Sequence, residues 1–173
     1  MGHIRLGTLP QSKKWRDVVG LLESGASIDT LADAAARASE LDLSRVTNDP
    51  TFRFVSSLLV RLPLIARAPG YEATLSDLGV DGDATNSVTS LLAGLELAID
   101  RHSFEVGFSS DAGELAKSAL LETLSVNLRN ELPSLFEPTS NDIRVELGKF
   151  ASGDRFSTLA RDFFARLTYR SLD

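Results

Sequence analysis

The chain has 173 residues, 43% of them hydrophobic and 24% charged, with no cysteine and a formal net charge of −6. That composition is ordinary for a globular protein and excludes the disordered class; a chain of this length buries roughly 70% of its unfolded surface on folding. Without cysteine there is no disulfide framework, thiolate nucleophile or Cys-ligated zinc, so packing must carry the fold, and a reducing, cytoplasmic setting is the natural expectation.

Met1 to Pro10 holds no long apolar stretch of the kind a secretory signal needs, and it reads as an extended arm over residues 1–11, ahead of a helical domain over residues 12–173. Ser12 is a suitable N-cap for a helix in which Trp15, Val18, Val19 and Leu22 recur at helical spacing until Gly25. Ser27 opens a second helix with Ile28, Leu31, Ala34, Ala35 and Ala38 on one face, an alanine-rich surface suited to close packing. Asn48-Asp49-Pro50 then breaks the chain and sets proline at a first helical position. The helix it opens is expected to reach about Ala66. Phe52, Val55, Leu58, Leu59, Leu62 and Ile65 cover most of its circumference, as a central helix requires, and Pro63 is expected to kink or end it.

Pro69-Gly70 is a turn, followed by a short helical piece near Leu75 and Leu78 and an acidic loop from Gly79 to Asn86. Val88, Leu91, Leu92, Leu95 and Ile99 make the stripe of the next helix. Phe104, Val106 and Phe108 alternate as in a strand, but nothing else in the chain offers a sheet partner, so Ser103 to Ser110 reads as an extended connection. A long helix from Asp111 to about Leu132 carries apolar residues around more than one face, a second core helix. Beyond Pro133 and Pro138 a short helix is expected from Ile143 to Phe150. Gly153-Asp154 opens the last one, where Phe156, Leu159, Ala160, Phe163, Phe164 and Leu167 fall at i, i+3, i+4, i+7, i+8 and i+11. The expected fold class is all-α, a single compact domain of six or seven helices with an extended N-terminal arm. The longest apolar segments, 52–66 and 91–99, are interrupted by charge and proline and fall short of the roughly 20 residues of a membrane span, so no membrane partner is expected.

Charge is distributed unevenly along these elements. Residues 1–67 carry nine Lys/Arg against seven Asp/Glu, residues 68–142 three against thirteen, and residues 143–173 six against four. Within the basic N-terminal part, Arg5 lies in the expected arm, and Lys13, Lys14 and Arg16 fall in the first turn of the first expected helix, where cations oppose the helix macrodipole at roughly 0.3 to 1 kcal/mol each. Exposed amides at that helix start, together with these cations, would hold a phosphate or follow a nucleic-acid backbone; the plain alternative is solvated charge beside a core Trp15. The terminal helix offers a second candidate, a docking face of Phe156, Leu159, Phe163, Phe164 and Leu167 with Arg166 and Arg170 beside it. Its plain alternative is a stripe packed on the domain's own core.

Two further constellations fail their motifs. Asp81-Gly82-Asp83 begins like a calcium loop, but its sixth position is Asn86 and its twelfth Leu92, so no metal site is expected. Asp100, His102 and Ser103 lack any nucleophile elbow, and His102 is better placed to cap the last carbonyls of its helix. No catalytic residue and no cofactor are expected. The function expected from sequence is therefore a non-catalytic protein-interaction or scaffold subunit of an intracellular assembly, in homo- or hetero-oligomeric contact. The alternative is a nucleic-acid-associated module using its basic N-terminal segment, against which the net charge of −6 weighs.

Overall fold

The computed structural model of the protein describes residues 49–81, 85–107, 110–132 and 138–171, together with Asp17, Gly20, Leu21, Ser24, Thr30, Ala34, Val46 and Asn48. The chain divides into two compact units, residues 1–48 with 172–173, and residues 49–171. In the first, Asp17, Gly20 and Leu21 are helical and Ser24 sits in a turn, its amide donating to the Gly20 carbonyl and its hydroxyl to that of Leu21, both at 3.0 Å. The expected arm, and with it Arg5, Lys13, Lys14, Trp15 and Arg16, lies outside the described residues.

The second unit is all-α. Its helices are α1 (Pro50–Arg67), α2 (Tyr71–Asp77), α3 (Val88–Glu105), α4 (Asp111–Glu131), α5 (Ser140–Lys149) and α6 (Gly153–Ser171), with no strand among the described residues. Local chemistry sets where four of them start. The side chains of Asp49, Ser87, Ser110 and Thr139 accept from the backbone amides of Phe52, Ser90, Gly113 and Asp142, respectively, each satisfying a donor that the first helical turn leaves unpaired. At α5 the cap is reciprocal, because the Asp142 carboxylate accepts from the Thr139 amide at 2.9 Å.

Periodicity decides which faces are buried. Val55, Leu58 and Leu62 of α1 are fully buried, as are Ala116, Ala119, Leu120 and Leu128 of α4. α1 packs against α3, α4 and α5, and α4 in turn against α3 and α6, so these two helices form the axis of the core. Pro63 does not end α1. The helix continues through it to Arg67, with the pyrrolidine ring buried among the core residues, so the missing amide is accommodated inside a continuing helix.

A second departure from the sequence reading lies at the end of α3. Ser103 to Ser110 was expected to be an extended connection, yet Ser103, Phe104 and Glu105 belong to the last turn of α3. The Val106 amide still donates to the His102 carbonyl at 3.0 Å, and Gly107, at φ 62°, turns the chain away in a conformation that favours glycine. The alternation of Phe104 and Val106 reflects exposure on both sides and not a pleat, since Phe104 is 87% and Val106 42% exposed.

At the N-terminal ends of α1 and α4 the two caps are joined. Asp49, 5% exposed, takes the Phe52 amide on one carboxylate oxygen at 2.7 Å and the Ser110 hydroxyl on the other, while Ser110 itself accepts from the Gly113 amide at 2.9 Å. Such closeness requires glycine at position 113. A Cβ there would stand 2.8 Å from the Cβ of Thr51 and 2.9 Å from its methyl group.

Candidate functional site

The terminal stripe divides between the core and the surface. Leu159 and Phe163 are fully buried in the core, Phe156 and Leu167 are half-buried, and Phe164 is 50% exposed. Phe163 and Phe164 meet edge to face with centroids 5.1 Å apart. One residue is about 100° of helix rotation, enough to send two adjacent phenylalanines to different environments. Arg166 and Arg170 reach back to α4: Arg166 pairs with Glu122 and, at 3.4 Å, with Asp162, and Arg170 bonds the second oxygen of Glu122 at 2.6 Å. Asp162 also accepts from the Asn127 amide group at 2.9 Å. The hydrogen bond from Arg170 holds the Glu122 carboxyl below its usual range, outweighing its slight desolvation, with Arg166 adding to the effect. Both arginines thus clamp α6 onto α4.

Asp100, His102 and the neighbouring Ser110 are each engaged in other contacts. Asp100 bonds Lys117 at 2.6 Å, Ser110 serves the caps of α1 and α4, and the His102 ring stacks on Phe54 at 4.2 Å between centroids. His102 therefore uses its ring face on α1, a contact between distant residues that local sequence does not announce. Asp81 is exposed, and no group of three potential metal ligands occurs among the described residues. No described helix is long and apolar enough to cross a membrane.

Two features absent from the sequence reading emerge instead. On α3, Leu97 at 64% and Phe104 at 87% exposure lie two turns apart on one face. The signal was present, since Leu97, Arg101 and Phe104 follow i, i+4, i+7 on the side opposite the buried Leu91 and Leu95.

The other feature is a cavity of about 450 Å³ between the end of α1 and one face of α5, lined by Ala66, Arg67, Asn141, Arg144, Val145, Gly148 and Lys149. Two arginines cross here in opposite senses. Arg67 Nε donates to the Gly148 carbonyl at 2.8 Å, while Arg144 donates from Nε to the Ala66 carbonyl at 3.0 Å and from Nη2 to that of Ala68 at 3.1 Å. Each helix thereby caps the C-terminal carbonyls of the other, the polarity the macrodipole favours. Arg144 also lies over the ring of Tyr71, 5.5 Å from its centroid. Burial pushes the Tyr71 hydroxyl up to about 12, helped by the Glu72 charge and opposed by Arg144.

Comparison with known protein families, curated proteins and solved structures yields no match to this chain.

Proposed function

We propose that the chain is a non-catalytic helical subunit that docks another protein within an intracellular assembly, and that the α3 ridge of Leu97 and Phe104 is the contact. The observation that carries this reading is the exposure of Phe104: at 87% it leaves nearly a whole aromatic ring in water. Covering such a side chain is worth roughly 1.5 to 3 kcal/mol, and aromatic residues dominate the energetics of protein contacts. Glu96, Arg101 and Glu105 border the ridge, a polar rim around an apolar centre. Leu159 and Phe163, expected from sequence as docking residues, are occupied by the chain's own core, which leaves Phe164 as the exposed part of that stripe.

The test is co-purification from the native host of the wild-type chain, Phe104→Asp and Phe164→Asp. Loss of the same companion proteins from Phe104→Asp alone, with an unchanged circular dichroism melt, supports the ridge. Retention of every companion by a folded Phe104→Asp variant refutes it.

A further inference from the structure

We propose that the cavity between α1 and α5 binds the phosphate group of an organic phosphate, independently of the α3 ridge. Among the described residues, Arg67 and Arg144 have no carboxylate partner; their backbone bonds orient them and leave both Nη groups of Arg67 and Nη1 of Arg144 without a partner. Guanidinium groups held in place in this way lose little further freedom when they bind an anion, and phosphate matches their fork.

The charges nearest the two arginines are partly paired among themselves. Lys149 is neutralised by Glu146, while Asp142, the other carboxylate of α5, keeps its charge at the end of the helix opposite Gly148, where it accepts from the amide and hydroxyl of Thr139 at 2.9 and 2.7 Å. Two helix C-termini contribute together about −1 against +2 from the arginines, so the carbonyls that the guanidiniums cap do not fully offset them. A phosphate dianion gains from both guanidiniums at once, one on each wall, which a planar monocarboxylate cannot do equally well. Asn141 adds an amide donor, while Ala66, Val145 and Gly148 offer an apolar surface for a short organic portion.

The experiment is a titration of the full chain with inorganic phosphate, reading the Nε–Hε resonances of arginine by NMR. Arg67 and Arg144 are expected to shift saturably, and acetate at matched ionic strength to bind at least about tenfold more weakly. Arg67→Gln is expected to weaken phosphate binding by about tenfold or more. Val145→Asp, a change at a half-exposed position, is expected to abolish it while leaving the fold intact. Glycerol 3-phosphate binding more tightly than inorganic phosphate would identify a soluble ester as the source, and co-sedimentation with phosphatidic acid vesicles that is lost in Arg67→Gln would identify a lipid headgroup. No saturable shift up to about 20 mM phosphate, or equal binding by wild type and a folded Val145→Asp, overturns the proposal.

Discussion

Gly113→Ala sets two opposing effects against each other at one position. Alanine is favoured over glycine within a helix by about 1 kcal/mol, so propensity alone predicts a more stable protein. The packing predicts the reverse. The new methyl would stand 2.8 Å from Thr51 Cβ, 2.9 Å from Thr51 Cγ2 and 3.3 Å from Ser110 Oγ, where carbon atoms normally keep about 3.5 to 4.0 Å. Thr51 cannot rotate its Cβ away, because that atom is fixed to the backbone of α1, so relief requires α1 and α4 to separate. Overpacking of this kind costs about 1 to 3 kcal/mol. The net expectation is a loss of about 1 to 2 kcal/mol, seen as a fall in melting temperature of roughly 3 to 10 °C. Thermal unfolding followed by far-UV circular dichroism measures it, with Gly153→Ala as the control, since a Cβ at that position meets nothing within 4 Å. A Gly113→Ala protein that melts at or above the wild-type temperature would show that the approach of α1 to α4 is looser than described, and the reasoning would fail.

Two neighbouring phenylalanines should part company under truncation: Phe163→Ala, at a fully buried position, should cost about 3 to 5 kcal/mol in urea unfolding, and Phe164→Ala, half exposed, less than half of that. Equal losses would mean that α6 is rotated from its described face. In a Tyr169→Phe background, phenolate absorbance near 295 nm reports Tyr71 alone, and it should rise only around pH 12. Because the folded protein holds that proton more tightly than the unfolded chain, Tyr71 contributes stability that is fully present below about pH 10 and lost as pH climbs toward 12. Ionisation near pH 10 with the fold intact would contradict its burial beneath Arg144.

The axis of the core was legible in sequence because α1 and α4 are apolar over much of their circumference, and the starts of α1, α4 and α6 followed from Asp49-Pro50, Asp111 and Gly153-Asp154. What escaped were features that depend on long-range contact. Pro63 reads locally as a kink or an end, and the neighbours packed around α1 carry the helix past it to Arg67. Phe104 and Val106 imitate a strand because a two-residue alternation also arises where the last turn of a helix runs out into solvent. The cavity joins residues from α1 and α5, which lie far apart along the chain, and no local pattern marks Arg67 or Arg144 as facing each other. Phe163 and Phe164 were read as one face, and only the direction in which α4 lies separates them.

The joined caps of α1 and α4 also determine where this part of the molecule can be cut. Asp49 is the first residue of the second compact unit and at the same time the group that serves two helix starts, through Phe52 and Ser110. A fragment beginning at Asp49 keeps both connections, whereas one beginning a single residue later, at Pro50, loses the N-cap of α1 and strands the Ser110 hydroxyl. Excision between Asp49 and Pro50 therefore removes a fastening between two helices that are more than forty residues apart in sequence, although only one residue separates the two designs.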